Sequence, residues 1–328
     1  MIRMEGVVEF MERHQVALYL LAIAAGAAVG LAAPGAGPGL EHVINPVLGL
    51  LLYVTFLQVP ARDLLRSLRD GRFLAAALVV NFVVVPLVVA AMFAFLPADR
   101  AVRMGVLLVL LTPCVDYVIV FSGLAGGSSR RLLAATPLLL IAQMLLLPLY
   151  LLLFLGADLA ETVEAGPFLE AFLVLIVIPL ALAWATQAWA RPSFGRAMST
   201  TMVPLMVATL LVVVASQVPK LTGDVGRVAG VVPFYALFLI VMALGGAGVA
   251  RLFRLDAPAG RAIVFTGATR NSLVVLPLAL ALPDHLGITA AVVVTQTLVE
   301  VIGMVIYVRL VPRLGFLGGT GVATTKEL

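Results

Sequence analysis

Arg270 stands in the middle of an apolar run from about Ala262 to Leu282, and no other lysine or arginine lies so deep in an apolar segment. A charge at that depth costs about 2.5–3.5 kcal/mol even on the gentler insertion scales, so it is expected to face protein or a water-filled cavity. Around it the sequence reads Phe265-Thr-Gly-Ala-Thr-Arg-Asn-Ser-Leu-Val-Val-Leu-Pro277. Gly267, the polar run from Thr269 to Ser272 and Pro277 all weaken a helix there. Unwound backbone inside a bilayer is tolerated only where protein or a cavity receives it. A second stretch matches the first: in Leu111-Thr-Pro-Cys-Val-Asp-Tyr117, Pro113 breaks an apolar run that also carries Asp116. Asp116 and Arg270 can neutralise one another. The pair reads either as a structural ion pair that pins two broken helices, or as a coupling device in which protonation of Asp116 frees Arg270 for an anion.

Cys114 sits beside Pro113 and two residues before Asp116. A buried cysteine is often a small inert hydrophobe, but a thiolate at a helix break is also a soft ligand suited to a metalloid. Asn81, Gln143, Asn271 and Ser272 bring amides and a hydroxyl into other apolar runs. Such groups either glue helices together or line a substrate path with Cys114, Asp116 and Arg270. Glu300, in Thr295-Gln296-Thr297-Leu298-Val299-Glu300, is a second carboxylate at depth and, with Asp116, a candidate proton carrier. Gln296 and Thr297 belong to the same cavity on this reading.

Other chemistries find no support. The chain holds one cysteine and three scattered histidines, so no metal cluster and no cofactor is expected. Nucleotide-loop, serine-hydrolase and zinc-protease signatures are absent, and an enzyme is not expected. Gly245-Gly246-Ala247-Gly248 lies inside an apolar run and reads as close helix packing. Trp184 and Trp189 read as interfacial anchors.

The elements that must hold these residues are membrane helices. Mean hydropathy is +1.15, and only 12% of the residues are charged, about half the share in an ordinary soluble chain. Ten spans are expected, at about 16–33, 43–60, 73–96, 101–122, 131–156, 168–190, 202–218, 229–250, 262–282 and 287–311. Sixteen lysines and arginines fall on one side of that arrangement and four on the other. The bias puts both termini in the cytoplasm of a multi-pass inner or plasma membrane protein. A shift of about 155 residues lays the first five spans on the last five, with the broken fourth on the broken ninth. The expected domains are therefore 1–156 and 157–328, two five-helix repeats. An odd number of spans per repeat makes them inverted, and paired interruptions in inverted halves are the pattern of a secondary transporter's binding site. The expected partners are a small-molecule substrate, the bilayer and protons, with no nucleic acid.

These features resemble the bile acid:sodium symporter superfamily and, more narrowly, its arsenite-permease branch, whose members confer arsenic resistance. Asn81-Phe82 with Pro86 is similar to that branch's Asn-Trp…Pro signature, Thr112-Pro113-Cys114 to its Ala-Pro-Cys motif, and Phe265 to Asn271 to its Gly-Ala-Ser-Asn stretch. The resemblance implies discontinuous helices four and nine crossing at the midplane. It also implies a panel domain of helices one, two, six and seven beside a core domain of three to five and eight to ten. The implied activity is arsenite efflux by antiport, with Cys114 holding the metalloid; the alternative is import of a small organic anion with Arg270 as carboxylate clamp. Two departures stand out. The branch's glutamate after the ninth-span asparagine is missing from Ser272-Leu273-Val274. Arg270-Asn271 also stands where sodium-coupled members carry a Gln-Asn pair. Arg270 is accordingly expected to act as a tethered substitute for sodium, leaving coupling to protons.

Overall fold

Capping aspartates, prolines and glycines set where the helices start and stop. The computed structural model describes residues 9–58, 70–115, 117–156, 170, 173–190 and 192–313. In chain order these form α1 (Gln15–Ala32), α2 (Gly37–Leu57), α3 (Gly71–Phe93), the half-helices α4a (Arg100–Leu110) and α4b (Tyr117–Leu124), and α5 (Ser129–Leu155). A π-helical turn at Leu173–Val177 leads into α6 (Ile178–Trp189), and a short helix at Pro192–Ser199 precedes α7 (Met202–Ala229). Then come α8 (Val232–Leu252), the half-helices α9a (Ala257–Ala268) and α9b (Ser272–Leu280), and α10 (Ile288–Leu310).

Among the described residues, seven helical stretches, on α1, α2, α3, α5, α7, α8 and α10, are long and apolar enough to cross a membrane. The expected fourth and ninth spans fall outside that group because each is divided into two half-helices. Two expectations about the breaks need correction. Gly267 is helical, in the last turn of α9a, where a β-carbon would come within 2.7 Å of Val80 Cγ2; its role is close packing. Pro277 lies inside α9b and does not end it. The seventh helix also runs on to Ala229, past its expected end at 218.

Packing falls into two groups of contacts that meet where α7 lies against α10. α1 lies along α7, with α2 against both α7 and α6. At Gly26 and Gly30 a β-carbon would come within 2.7 Å of the Leu211 carbonyl and 2.8 Å of the Ala215 carbonyl, so only glycine permits this approach. Elsewhere α8 packs on α9a, and α10 on α4a, α7, α8 and α9b. Gly246 meets the Val264 Cα at 2.7 Å from its would-be β-carbon, as expected of a close-packing glycine, whereas Gly248 faces open space.

Charged groups cap and bridge several of the helix ends. Asp70, Asp99 and Asp256 cap α3, α4a and α9a by accepting from the N–H groups of Phe73 (3.4 Å), Val102 (3.1 Å) and Ala259 (2.9 Å). Arg131 on α5 bridges Asp70 (2.9 Å) and Asp256 (2.8 Å). At the start of α4a, Asp99 pairs with Arg227 from the last turn of α7.

Candidate functional site at the crossing of two broken helices

Proline creates the first break. Pro113 has no N–H to continue α4a and disfavours helical backbone at Thr112 before it. The second break begins at Thr269, which is extended (φ −84°, ψ 134°), and ends at Asn271, whose Oδ1 caps α9b by accepting from Val274 N–H at 3.1 Å. The two freed segments then satisfy each other. They run antiparallel, Pro113 opposite Arg270, with Cys114 N–H donating to the Thr269 carbonyl (3.2 Å) and Asn271 N–H to the Thr112 carbonyl (2.8 Å). Buried backbone that leaves a helix must find such partners. Thr112 and Thr269 each turn their hydroxyls back to a carbonyl four residues earlier, Leu108 (2.8 Å) and Phe265 (2.6 Å).

The Arg270 guanidinium is fully buried. It donates to the carbonyls of Thr266 (2.6 Å), Gly267 (2.8 Å) and Leu110 (3.3 Å) and to Asn81 Oδ1 (2.8 Å). The three carbonyls belong to the C-terminal turns of α9a and α4a, where the helix dipoles are negative and carbonyls lack helical donors. One cation thus closes both half-helices, with the Phe238 ring 5.6 Å away. Its Nε–H finds no acceptor among the described residues.

Asn81 reaches this cage because α3 carries a π-helical turn at Val80–Val84. Asn81 Nδ2 donates to the Ala77 carbonyl (3.0 Å) and to Thr266 Oγ1 (3.2 Å) while its Oδ1 faces Arg270. Pro86 then deprives the Phe82 carbonyl of its donor four residues on, and the Tyr150 hydroxyl from α5 takes that place at 2.7 Å.

Glu300 approaches from α10 and meets Arg270 through the backbone: Oε2 accepts from Arg270 N–H at 2.8 Å and from Gln296 Nε2. Its Oε1 accepts from the Tyr117 hydroxyl at 2.6 Å, which also lies 3.2 Å from the Arg270 carbonyl. Three donors on one carboxylate suit its ionised form. Ser272 and Thr297 share a hydrogen bond at 2.5 Å beside it.

Of the residues singled out from the sequence, the fold joins Arg270, Asn271, Ser272, Asn81 and Glu300 with the backbone of Cys114, whose side chain is buried. Gln143 is buried on α5, but its Oε1 has no partner among the described residues. Asp116 lies outside the described residues. Two participants escaped the sequence reading: Tyr117, which passes for a core aromatic, and Phe238. Asn271 Nδ2 and Arg270 Nε are buried donors, and Gln296 Oε1 and Gln143 Oε1 buried acceptors, each without a partner among the described residues. A buried polar atom left without a partner costs about 1–3 kcal/mol.

The crossing residues keep a constant spacing. Pro113 and Arg270, Thr112 and Thr269, Leu110 and Gly267, the caps Asp99 and Asp256, and Gln143 and Glu300 are all 157 residues apart. Asn81 and Phe238, which flank the guanidinium, are separated by the same 157.

Long apolar helices beside two interrupted ones fit a multi-pass membrane protein. The family model for the Sodium Bile acid symporter family matches residues 45–224, more than half of the chain, and the protein belongs to that family. No curated protein matches the chain.

Proposed function

We propose that the protein is a sodium-independent, proton-coupled secondary transporter that exports arsenite or a similar trivalent metalloid across the inner or plasma membrane. The observation that carries this reading is the Arg270 cage: four oxygens, three of them carbonyls, surround a covalently attached cation. A second cation in the same cage would meet strong like-charge repulsion in a low dielectric. With sodium displaced, Glu300 is the described carboxylate at the crossing that can carry a proton, and Asp116 is the second candidate. The constant spacing of 157 residues supports two inverted five-helix repeats, 1–156 and 157–328, within ten spans whose termini are cytoplasmic. The two groups of packing contacts support a panel of helices one, two, six and seven beside a core of three to five and eight to ten.

A neutral substrate fits the charge balance, because Arg270 is matched by Glu300 and its guanidinium is already engaged. Cys114, in the extended crossing segment, supplies the soft ligand, with Asn271, Ser272, Asn81 and Gln143 as polar lining. Cys114→Ser is expected to abolish arsenite tolerance in a sensitive host at unchanged expression. One observation favours a second reading, import of a small organic anion: Arg270 Nε and Asn271 Nδ2 are donors without partners among the described residues. Uptake into everted vesicles separates the two. Arsenite accumulation that needs a proton gradient and ignores replacement of sodium by potassium is the expected result. Accumulation of labelled organic acids without arsenite moves the reading to the anion, and strict sodium dependence ends the tethered-cation account.

A further inference from the structure

The Tyr117 hydroxyl lies between two acceptors that belong to different elements. Glu300 Oε1 on α10 is 2.6 Å away, and the Arg270 carbonyl in the break of α9 is 3.2 Å away. A phenol has one hydrogen and can serve only one of them well at a time. Pro113, opposite Arg270 in the bridge, has no N–H to offer that carbonyl. Tyr117 is also the first residue of α4b, so its position follows that half-helix.

We infer that Tyr117 is a positioning residue that reports the protonation of Glu300 to the helix crossing; this rests on Glu300 being a proton carrier, as proposed above. With Glu300 ionised, the phenolic hydrogen lies on Oε1, at the shorter distance. When a proton from solution adds to Oε1, that oxygen becomes the donor and the phenolic oxygen the acceptor. The phenolic hydrogen then rotates to the Arg270 carbonyl. No bond other than the new carboxyl O–H forms, and tyrosine keeps its proton throughout. The result is an added link between α4b and the α9 break that exists only in the protonated state. Among the described residues, the groups facing the pair are Arg270 and Cys114 in the two breaks, Gln296 on Glu300's own helix, and Tyr307, whose hydroxyl donates to the Leu239 carbonyl of α8. None of these is a second carboxylate.

Infrared difference spectra of the reconstituted full-length protein, taken between high and low pH, test the device without needing a substrate. In the wild type a protonated carboxyl band is expected to grow in as the ring C–O mode of one tyrosine shifts from donor to acceptor character, with one shared midpoint. Glu300→Gln removes both signals, and Tyr117→Phe removes the tyrosine shift while the carboxyl band survives. In vesicles holding arsenite, Tyr117→Phe is expected to lower gradient-driven transport about tenfold, a typical coupling factor. A carboxyl band that titrates while no tyrosine mode moves overturns this inference alone. No Glu300-dependent carboxyl band at any pH at which the protein stays folded overturns it together with proton carriage by Glu300.

Discussion

Pro113 and Arg270 face each other at the crossing and stand 157 residues apart, yet they solve the same problem by opposite means. On the α4 side the break is enforced by a missing donor: proline has no N–H, so nothing need receive it. On the α9 side the residue keeps its N–H and adds a guanidinium. The fold answers with Glu300 for the former and with carbonyls from both half-helices for the latter. The partner helices follow suit. Glu300 on α10 is occupied by three donors, whereas the amide of Gln143, at the same spacing on α5, has an oxygen with no partner among the described residues. The Glu300 carboxylate is saturated, whereas the Gln143 amide holds spare hydrogen-bonding capacity among the described residues, as do Arg270 Nε, Asn271 Nδ2 and Gln296 Oε1 on the α9–α10 side. A site that must bind and release a ligand needs the second kind, and a hinge that must hold its shape needs the first.

Substitutions can break this contrast. Arg270→Ala removes the cation that closes α4a and α9a and leaves the Glu300 carboxylate buried without its counter-charge; a loss of about 3–5 kcal/mol is expected. Thermal unfolding in detergent measures it, and adding Glu300→Gln is expected to return part of the loss, since the second change removes the stranded charge. Equal damage from the single and double variants would show that the two groups are not coupled.

Gln143→Leu sharpens the comparison from the other side. Removing an unpaired buried oxygen is expected to raise stability by about 1 kcal/mol, while arsenite transport falls if that amide lines the path. Glu300→Leu, at the same spacing, is expected to be destabilising. Opposite signs in melting temperature support the saturated-and-spare distinction, and matching signs remove it.

The smallest effects belong to the caps. Burial pushes the Asp99 carboxyl up, but Arg227 and the Val102 N–H outweigh it and hold the group below the ordinary aspartate value. At Asp256 burial is likewise outweighed by the Ala259 N–H and Arg131. Both carboxyls are lower in the folded protein than in the unfolded chain. Their stabilisation is therefore complete above about pH 3.9, the ordinary value, and is lost as pH falls through the folded values. Asp99→Asn and Asp256→Asn are each expected to flatten the acid limb of melting temperature against pH. Asp99→Asn is expected to do so more, because Arg131 keeps Asp70 as a partner when Asp256 is gone.

Much of this was visible in the residues themselves. Pro113 and the polar run at Thr269 announce the two breaks, and a lone arginine at depth announces the centre. The spacing of the halves was readable only as about 155 residues, because the matching positions differ in type: Pro113 with Arg270, Asn81 with Phe238, Gln143 with Glu300. The value of 157 emerges once pairing across the crossing fixes the register. Arg270's carboxylate was expected at Asp116, in the other break, a residue that lies outside the described ones; among the described residues, the carboxylate that meets Arg270 comes from α10. No local pattern announces this, since Glu300 reaches the Arg270 backbone from 30 residues away in sequence. Tyr117 was passed over because an aromatic in an apolar run looks like packing until its hydroxyl is seen between two acceptors.

The π-helical turn at Val80–Val84 has a consequence for phase. An α-helix advances about 100° per residue, so a turn that accommodates one extra residue rotates everything before it by that angle relative to everything after it. On α3 the early face with Phe73, Ala76 and Ala77 and the later face with Val85 and Val89 are all buried. A continuous α-helix through the same sequence would turn the two groups to different sides. Deleting one residue of the turn would restore regular helix and swing the Phe73 face away from α9a. Asn81 is thus held at Arg270 by a phase correction written into the helix, and a one-residue deletion there should undo it more thoroughly than any change of its side chain.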